Sequence, residues 1–325
     1  MATVYMIGQD GGISVGGGGL DVVASRAVWI DAVSPSDAEL SKLDEIMGFE
    51  VPNRHDITEI ELSSRLYRED GALVMIANLL PKDEQTPNPP RPAAFILRNG
   101  LLLTIRYSDF YSFERMTARI RYEKDNTSAT IFCRLIEEAV ADRADNLEYS
   151  MRSMEILTSQ LFIHPTRGDD PQRHSPELDK ALNQIGAMGE SVANIRESIT
   201  SLQRVVNYAA TYIPQDWLGE ERLVLISLKN DLTALSDEAA FFMNKLNFNL
   251  DAALGMINIE ESKVIRFLSV VTLLLSPPTL IAGIYGMNFD IMPELHWQLG
   301  YAFALVLMAG TAIASILYLK RKRWM

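Results

Sequence analysis

The chain has 325 residues, enough for about two domains, and 48% of them are hydrophobic. Its formal net charge of -12 repels nucleic acid and anionic lipid and attracts cations, so no nucleic-acid partner is expected. One cysteine, Cys133, excludes an intrachain disulfide and suits a reducing compartment.

In chain order, MATVYMIGQDGG has no basic segment followed by an apolar core, so no cleavable signal peptide is expected. Gly16 to Gly19 form a glycine run with no Gly-Lys-Ser/Thr after it, which reads as a turn and not a phosphate loop. Strands are expected at Ala27 to Val33, Ala72 to Leu80, Ala93 to Gly100 and Leu101 to Tyr107, with Asn99-Gly100 as a two-residue hairpin turn. Ser34 to Gly48 reads as a helix capped by Ser34 or Ser36 and ended by Gly48. This alternation predicts a mixed α/β domain over residues 1-126. The proline-rich stretch Pro81 to Pro92 is a surface loop.

Strands then stop, and residues 127-262 read as a cytoplasmic helical region with a stalk. Thr127 to Ile163 and Pro176 to Tyr212 are helical patterns separated by the polar loop His164 to Pro176. A third helix runs from near Gly219 to Pro277, about 59 residues or ~88 Å at 1.5 Å per residue.

Residues 263-325 form the membrane part, because no Asp, Glu, Lys or Arg occurs from Phe267 to Phe289 or from Leu295 to Leu319. Each stretch exceeds the ~20 residues that cross a bilayer, which predicts spans near 264-286 and 299-319. Lys263 and Arg266 precede the first span and Lys320 to Arg323 follow the second. The link between them carries Asp290 and Glu294 and no base, so both termini are expected in the cytoplasm. Trp297 and Trp324 flank the second span at interfacial positions.

No enzyme is expected, because the four histidines are scattered and neither a nucleophile elbow nor a nucleotide fingerprint appears. The first span carries the informative pattern. Thr272, Ser276, Thr279 and Gly283 step by 4, 3 and 4 onto one stripe. Inward the stripe continues to Leu268 and Ile265, and outward to Met287 and Asn288. One reading is helix packing through small and polar residues. The other is a pore wall narrowing to an apolar ring, which two helices cannot enclose and which therefore demands a homo-oligomer. Pro277 and Pro278 predict a kink or a loosened helix in mid-span.

Tyr285 to Phe289, YGMNF, is followed by MPELHWQLGY, preceded by the Pro277-Pro278 span and closed by KRKRW; INIE (Ile257 to Glu260) and VWID (Val28 to Asp31) extend the match. Together these residues closely resemble the CorA magnesium transporters over essentially the whole chain. The resemblance implies a funnel-shaped homopentamer in the bacterial inner membrane, with an α+β cytoplasmic αβα domain, a long stalk helix and two transmembrane helices. It implies passive Mg²⁺ transport, often with Co²⁺ or Ni²⁺. Gly286, Met287 and Asn288 then carry the selectivity filter. Thr279, Ser276, Leu268 and Ile265 face the pore, and Asp251 matches an acidic ring at the cytoplasmic mouth. Some relatives have methionine at the Ser276 position, which leaves a wider constriction here. Asp290 and Glu294 concentrate cations outside, and Asp231, placed by spacing alone, stands for a regulatory Mg²⁺ carboxylate. A zinc transporter of the same superfamily and a non-conducting membrane-anchored sensor or scaffold are the rival readings.

Overall fold

The computed structural model describes residues 2-7, 13-16, 27-59, 65-82, 89-120, 127-162, 171-287, 297-322 and 324. The chain divides into two compact units, Met1–Arg167 with Asp179–Leu250, and Gly168–Leu178 with Asp251–Met325.

The first unit is built on a seven-stranded sheet of order β2-β1-β3-β7-β6-β5-β4. Its strands are β1 (Ala2–Ile7), β2 (Ile13–Gly16), β3 (Ala27–Val33), β4 (Leu66–Glu69), β5 (Ala72–Leu79), β6 (Arg91–Arg98) and β7 (Leu101–Arg106). Only β3 and β7 run parallel, with Ile30 opposite Leu103; the other neighbours are antiparallel. The β6–β7 turn has φ of 47° at Asn99 and 80° at Gly100, the pair of positive values that a two-residue hairpin needs to match strand twist. Asp70 and Gly71 repeat the device between β4 and β5, with φ of 45° and 82°. β5 is buried on both faces, so residues 72-77 read as a continuous apolar run and not as an alternation, with Asn78 the one polar side chain in the strand.

Helices α1 (Asp37–Met47) and α2 (Arg54–Thr58) are closely capped. Ser36 forms a capping box with Glu39 and Gly48 ends α1 at φ 71°, so Ser36 and not Ser34 is the cap. Asn53 and Asp56 form a second capping box on α2. Leu43, Met47 and Ile57 from these helices join Ile30, Val74, Ile76, Ile96, Leu103 and Ile105 in one apolar core.

On the other side α3 (Tyr111–Arg119) and α4 (Ser128–Phe162) contribute Phe113 and Phe132 to an aromatic layer with Trp29 and Phe95. Trp29 stacks on Tyr5 at 4.4 Å and donates its indole N–H to Thr104 Oγ1 at 3.0 Å. Thr104 donates in turn to Asp31 at 2.8 Å, and Arg106 pairs with Asp31 at 3.0 Å. Burial opposes the Arg106 charge, but Asp31 and Asp109 outweigh it and hold the guanidinium above its ordinary range.

Helix α5 (Pro171–Tyr212) starts before the expected Pro176, so residues 171-175 are helical and not loop. After the short α6 (Gln215–Leu218) comes α7 (Glu221–Tyr285), 65 residues or about 98 Å long. Within the first unit Leu225, Leu228, Leu232, Ala239, Phe242 and Leu246 form its buried stripe at spacings of three, four and seven. α7 passes through Pro277 and Pro278 as one helix, so neither proline ends it. Each proline removes one i to i−4 bond, and the turns on either side continue the ladder. The last helix is α8 (Gly300–Arg321). Of the expected turns, Gly17 to Gly19 and residues 83-88 of the Pro81 to Pro92 loop lie outside the described residues.

Candidate functional site

Among the described residues two helices, α7 and α8, are long and apolar enough to cross a membrane. In the second unit, residues 270, 271, 274, 277, 278, 281 and 285 of α7 are half-buried. At 100° per residue they share one face of the helix. Thr272, Ser276, Thr279 and Gly283 are exposed and lie on the opposite face. The hydroxyl stripe is therefore the side of the span that a single chain leaves uncovered.

A groove of about 620 Å³ follows that side, lined by Thr272, Leu275, Ser276, Thr279, Leu280, Gly283, Ile284 and Met287. The threonine hydroxyls are spoken for as donors: Thr272 donates to the Leu268 carbonyl at 2.8 Å and Thr279 to the Leu275 carbonyl at 2.7 Å. Ser269, half-buried and one turn before Thr272 at the edge of the stripe, donates likewise to the Ile265 carbonyl at 2.8 Å. With its proton turned back onto the helix, each threonine oxygen offers the groove acceptor lone pairs. Such a surface suits ligands that donate, and the water shell of a cation directs its hydrogens outward.

Gly283 opens the groove, since a Cβ there meets nothing within 4 Å. Gly286 does the opposite: a Cβ there would stand 3.0 Å from the Ala282 carbonyl, which already accepts the Gly286 N–H at 2.9 Å. A side chain at Gly286 would press on the last turn of α7, so glycine is the residue that this close approach admits. Met287 ends the described segment, 46% exposed. Asn288, Asp290 and Glu294 lie outside the described residues.

Toward the N-terminal end of the span, Leu268 and Ile265 are 64% and 65% exposed; Ser269 and Thr272 stand one turn C-terminal to them, and Glu261 and Ser262 one turn N-terminal to Ile265. Asp251 is exposed. Asp231 is exposed too, and its carboxylate accepts the Ser227 hydroxyl at 3.4 Å. Among the described residues no group of three His, Cys, Asp or Glu side chains gathers to hold a metal. A divalent ion at Asp231 would therefore need further ligands from a second copy, or water.

One group escaped sequence reading, a buried polar cluster formed by Asn78, Asp142, Arg143, Ser198 and Ser201, with the exposed Glu197 at its edge. Their separations along the chain reach 123 residues, and no local pattern marks them.

The profile of the family described as CorA-like Mg2+ transporter protein matches residues 24–321. The magnesium transport protein CorA of Escherichia coli (strain K12) is 31% identical over 304 residues, 92% of each chain. The complete structure of the CorA magnesium transporter from Methanocaldococcus jannaschii superposes with a TM-score of 0.77 at 19% identity, covering 100% of this chain and 99% of that one. The ZntB cytoplasmic domain from Vibrio parahaemolyticus matches 79% of this chain and 97% of its own with a TM-score of 0.58 at 11% identity, so the fold of the first unit is shared beyond CorA itself. With its profile matched over nearly the whole length and its two apolar helices placed at the C-terminal end, the chain belongs to the CorA-like Mg2+ transporter family.

Proposed function

We propose that this chain conducts Mg²⁺ passively into the cytoplasm as a homopentamer in a bacterial inner membrane. The observation that carries this reading is the uncovered acceptor face of α7, leading from Thr272 to Met287 and on toward Asn288. One chain encloses nothing with that face, so several copies around an axis are needed to form a pore. Residues 1-126 and 127-262 are then the cytoplasmic domain and helical stalk, and residues 263-325 the membrane domain. Lys263, Arg266 and the Lys320 to Arg323 run support an orientation with both termini inside.

Mg²⁺ sheds water reluctantly, so binding the hydrated ion avoids the dehydration cost. A ring of Asn288 amides, set by Gly286 and Met287, accepts hydrogen bonds from those waters through its carbonyl oxygens, and the threonine oxygens below take over. A carboxylate ring in that place would hold the divalent ion too long for throughput. Asp290 and Glu294 concentrate cations at the outer mouth, and Asp251 does so at the inner one. Co²⁺ and Ni²⁺, of similar size and hydration, pass by the same route. The curated relative at 31% identity is a magnesium transport protein, which favours Mg²⁺ over the zinc reading.

Driving force requires no pump. An inside-negative potential of about 100 mV supplies ~2.3 kcal/mol per charge, hence ~4.6 kcal/mol for Mg²⁺, or about 10³-fold accumulation. Closure falls to the apolar ring of Leu268 and Ile265, which excludes water when narrow. Cytoplasmic Mg²⁺, bridging carboxylates such as Asp231 between copies, favours the closed state.

Liposomes loaded with a Mg²⁺-sensitive dye test the conduction. Parent protein is expected to pass Mg²⁺ under an inside-negative potential, and Asn288→Ala to lose at least about tenfold in flux, the equivalent of ~1.4 kcal/mol in ion binding. Equal flux through both sinks the filter assignment. Raising Mg²⁺ on the cytoplasmic side should lower flux, and a flat response across the physiological range removes the regulatory part.

A further inference from the structure

The buried cluster found in the first unit joins three elements. Ser198 of α5 donates to the Asn78 carbonyl of β5 at 2.7 Å and accepts from Arg143 Nη1 of α4 at 2.8 Å. Asn78 donates its backbone N–H to Ser201 at 2.9 Å and its side-chain amide to Glu197 at 2.8 Å, both on α5. Arg143 also pairs with Asp142 beside it. The Arg143 side chain is 2% exposed and that of Asp142 7%. Burial lowers the guanidinium's affinity for its proton more than Asp142 restores it. Arg143 Nε and Asn78 Oδ1 are buried with no hydrogen-bond partner among the described residues.

An ion pair desolvated this fully, and left with unpaired polar atoms, is a poor source of stability; apolar side chains of the same volume often do as well or better. Its value lies in what it forbids. The rest of the α5 face is aliphatic, with Ile195, Ile199, Leu202, Val205 and Val206 fully buried, and such ridges fit equally well after a slide of one turn, ~5.4 Å. The polar residues do not repeat. A one-turn slide would set Leu202 or Asn194 where Ser198 meets Arg143, and Leu202 would strand the buried charge.

The same helix is tied onward. Gln203 Nε2 of α5 donates to the Leu232 carbonyl of α7 at 3.1 Å, two residues beyond Ser201.

We propose that the Asn78, Arg143 and Ser198 cluster is a register pin. It fixes α5 at one axial position on the sheet and, through Gln203, fixes the adjoining stretch of α7. Rearrangement of the cytoplasmic layer then reaches α7 as displacement and is not absorbed by slippage of α5. The functional half of this inference rests on the reading that cytoplasmic Mg²⁺ closes the pore.

The test uses the full chain in liposomes, with Asp142→Leu and Arg143→Met combined so that no lone charge remains. The expected result is a folded protein melting within a few degrees of the parent. Amide hydrogen exchange over residues 193-206 should run at least about tenfold faster, the factor of one lost charge-assisted hydrogen bond. The flux response to cytoplasmic Mg²⁺ should shrink by about the same factor. Parental exchange rates over 193-206 overturn the pin. Gln203→Leu is the second variant: it should leave that exchange unchanged and blunt the Mg²⁺ response, and a full response overturns the link to α7. If the parent itself shows no Mg²⁺ response, the gating reading falls, and exchange in the double variant still decides the pin.

Discussion

The first unit completes its core within one chain, whereas the second does not. Trp29, Phe95, Phe113 and Phe132 are at most 1% exposed, while Phe267 is 69%, Leu268 64% and Val306 71% exposed. Both regions are rich in apolar residues, yet only the first spends them on itself. Contiguous apolar surface of that kind is tolerated only where lipid or another protein covers it. On the proposed reading, the comparison makes stability and conduction separable: one is decided inside a chain, the other between chains and lipid.

Substitutions in the two regions should therefore have different signatures. The largest expected effect is on the first unit: Phe132→Ala removes a ring packed edge-on to Phe95 at 5.9 Å and should cost about 3-5 kcal/mol of stability, read by thermal or denaturant unfolding. Flux per folded protein should stay at the parental level; a selective flux defect would break the separation. On the membrane side, Leu268→Ser should do the reverse. Wetting the apolar ring should raise flux at high cytoplasmic Mg²⁺ by about tenfold, or ~1.4 kcal/mol off the closed state, with unfolding of the first unit unchanged. Unaltered flux would show that the constriction lies elsewhere. The smallest change tests local sequence rules: Ser36→Ala deletes one half of the α1 capping box and should cost about 1 kcal/mol in the same unfolding experiment, with no effect on flux.

Local signals carried much of the fold. Asn99-Gly100 announced its hairpin, Ser36 to Gly48 its helix, and Val28 to Asp31 its strand, because each depends on φ preferences and spacings that neighbouring residues dictate. The Asp70-Gly71 hairpin and the Asn53 to Asp56 capping box use the same chemistry but were not read, because the strand and helix beside them are short, at 4 and 5 residues, and carry little periodicity. The start of α5 was misplaced because proline and polar residues at 171-176 are compatible with a first helical turn as well as with a loop. Pro277-Pro278 stay inside α7, because a missing donor weakens a ladder without deciding that it breaks.

The candidate site divides along the same line. Sequence by itself determined two uncharged spans, their orientation signals, and a hydroxyl stripe at helical spacing ending in YGMNF, since hydropathy, charge and period are properties of consecutive residues. Tertiary structure decided which side of α7 stays uncovered and that the threonine protons turn back to Leu268 and Leu275. It also gathered Asn78, Arg143 and Ser198, up to 120 residues apart, into one buried cluster. Those outcomes depend on which groups the folded chain brings within hydrogen-bond reach, a matter of three-dimensional proximity that no window of sequence contains.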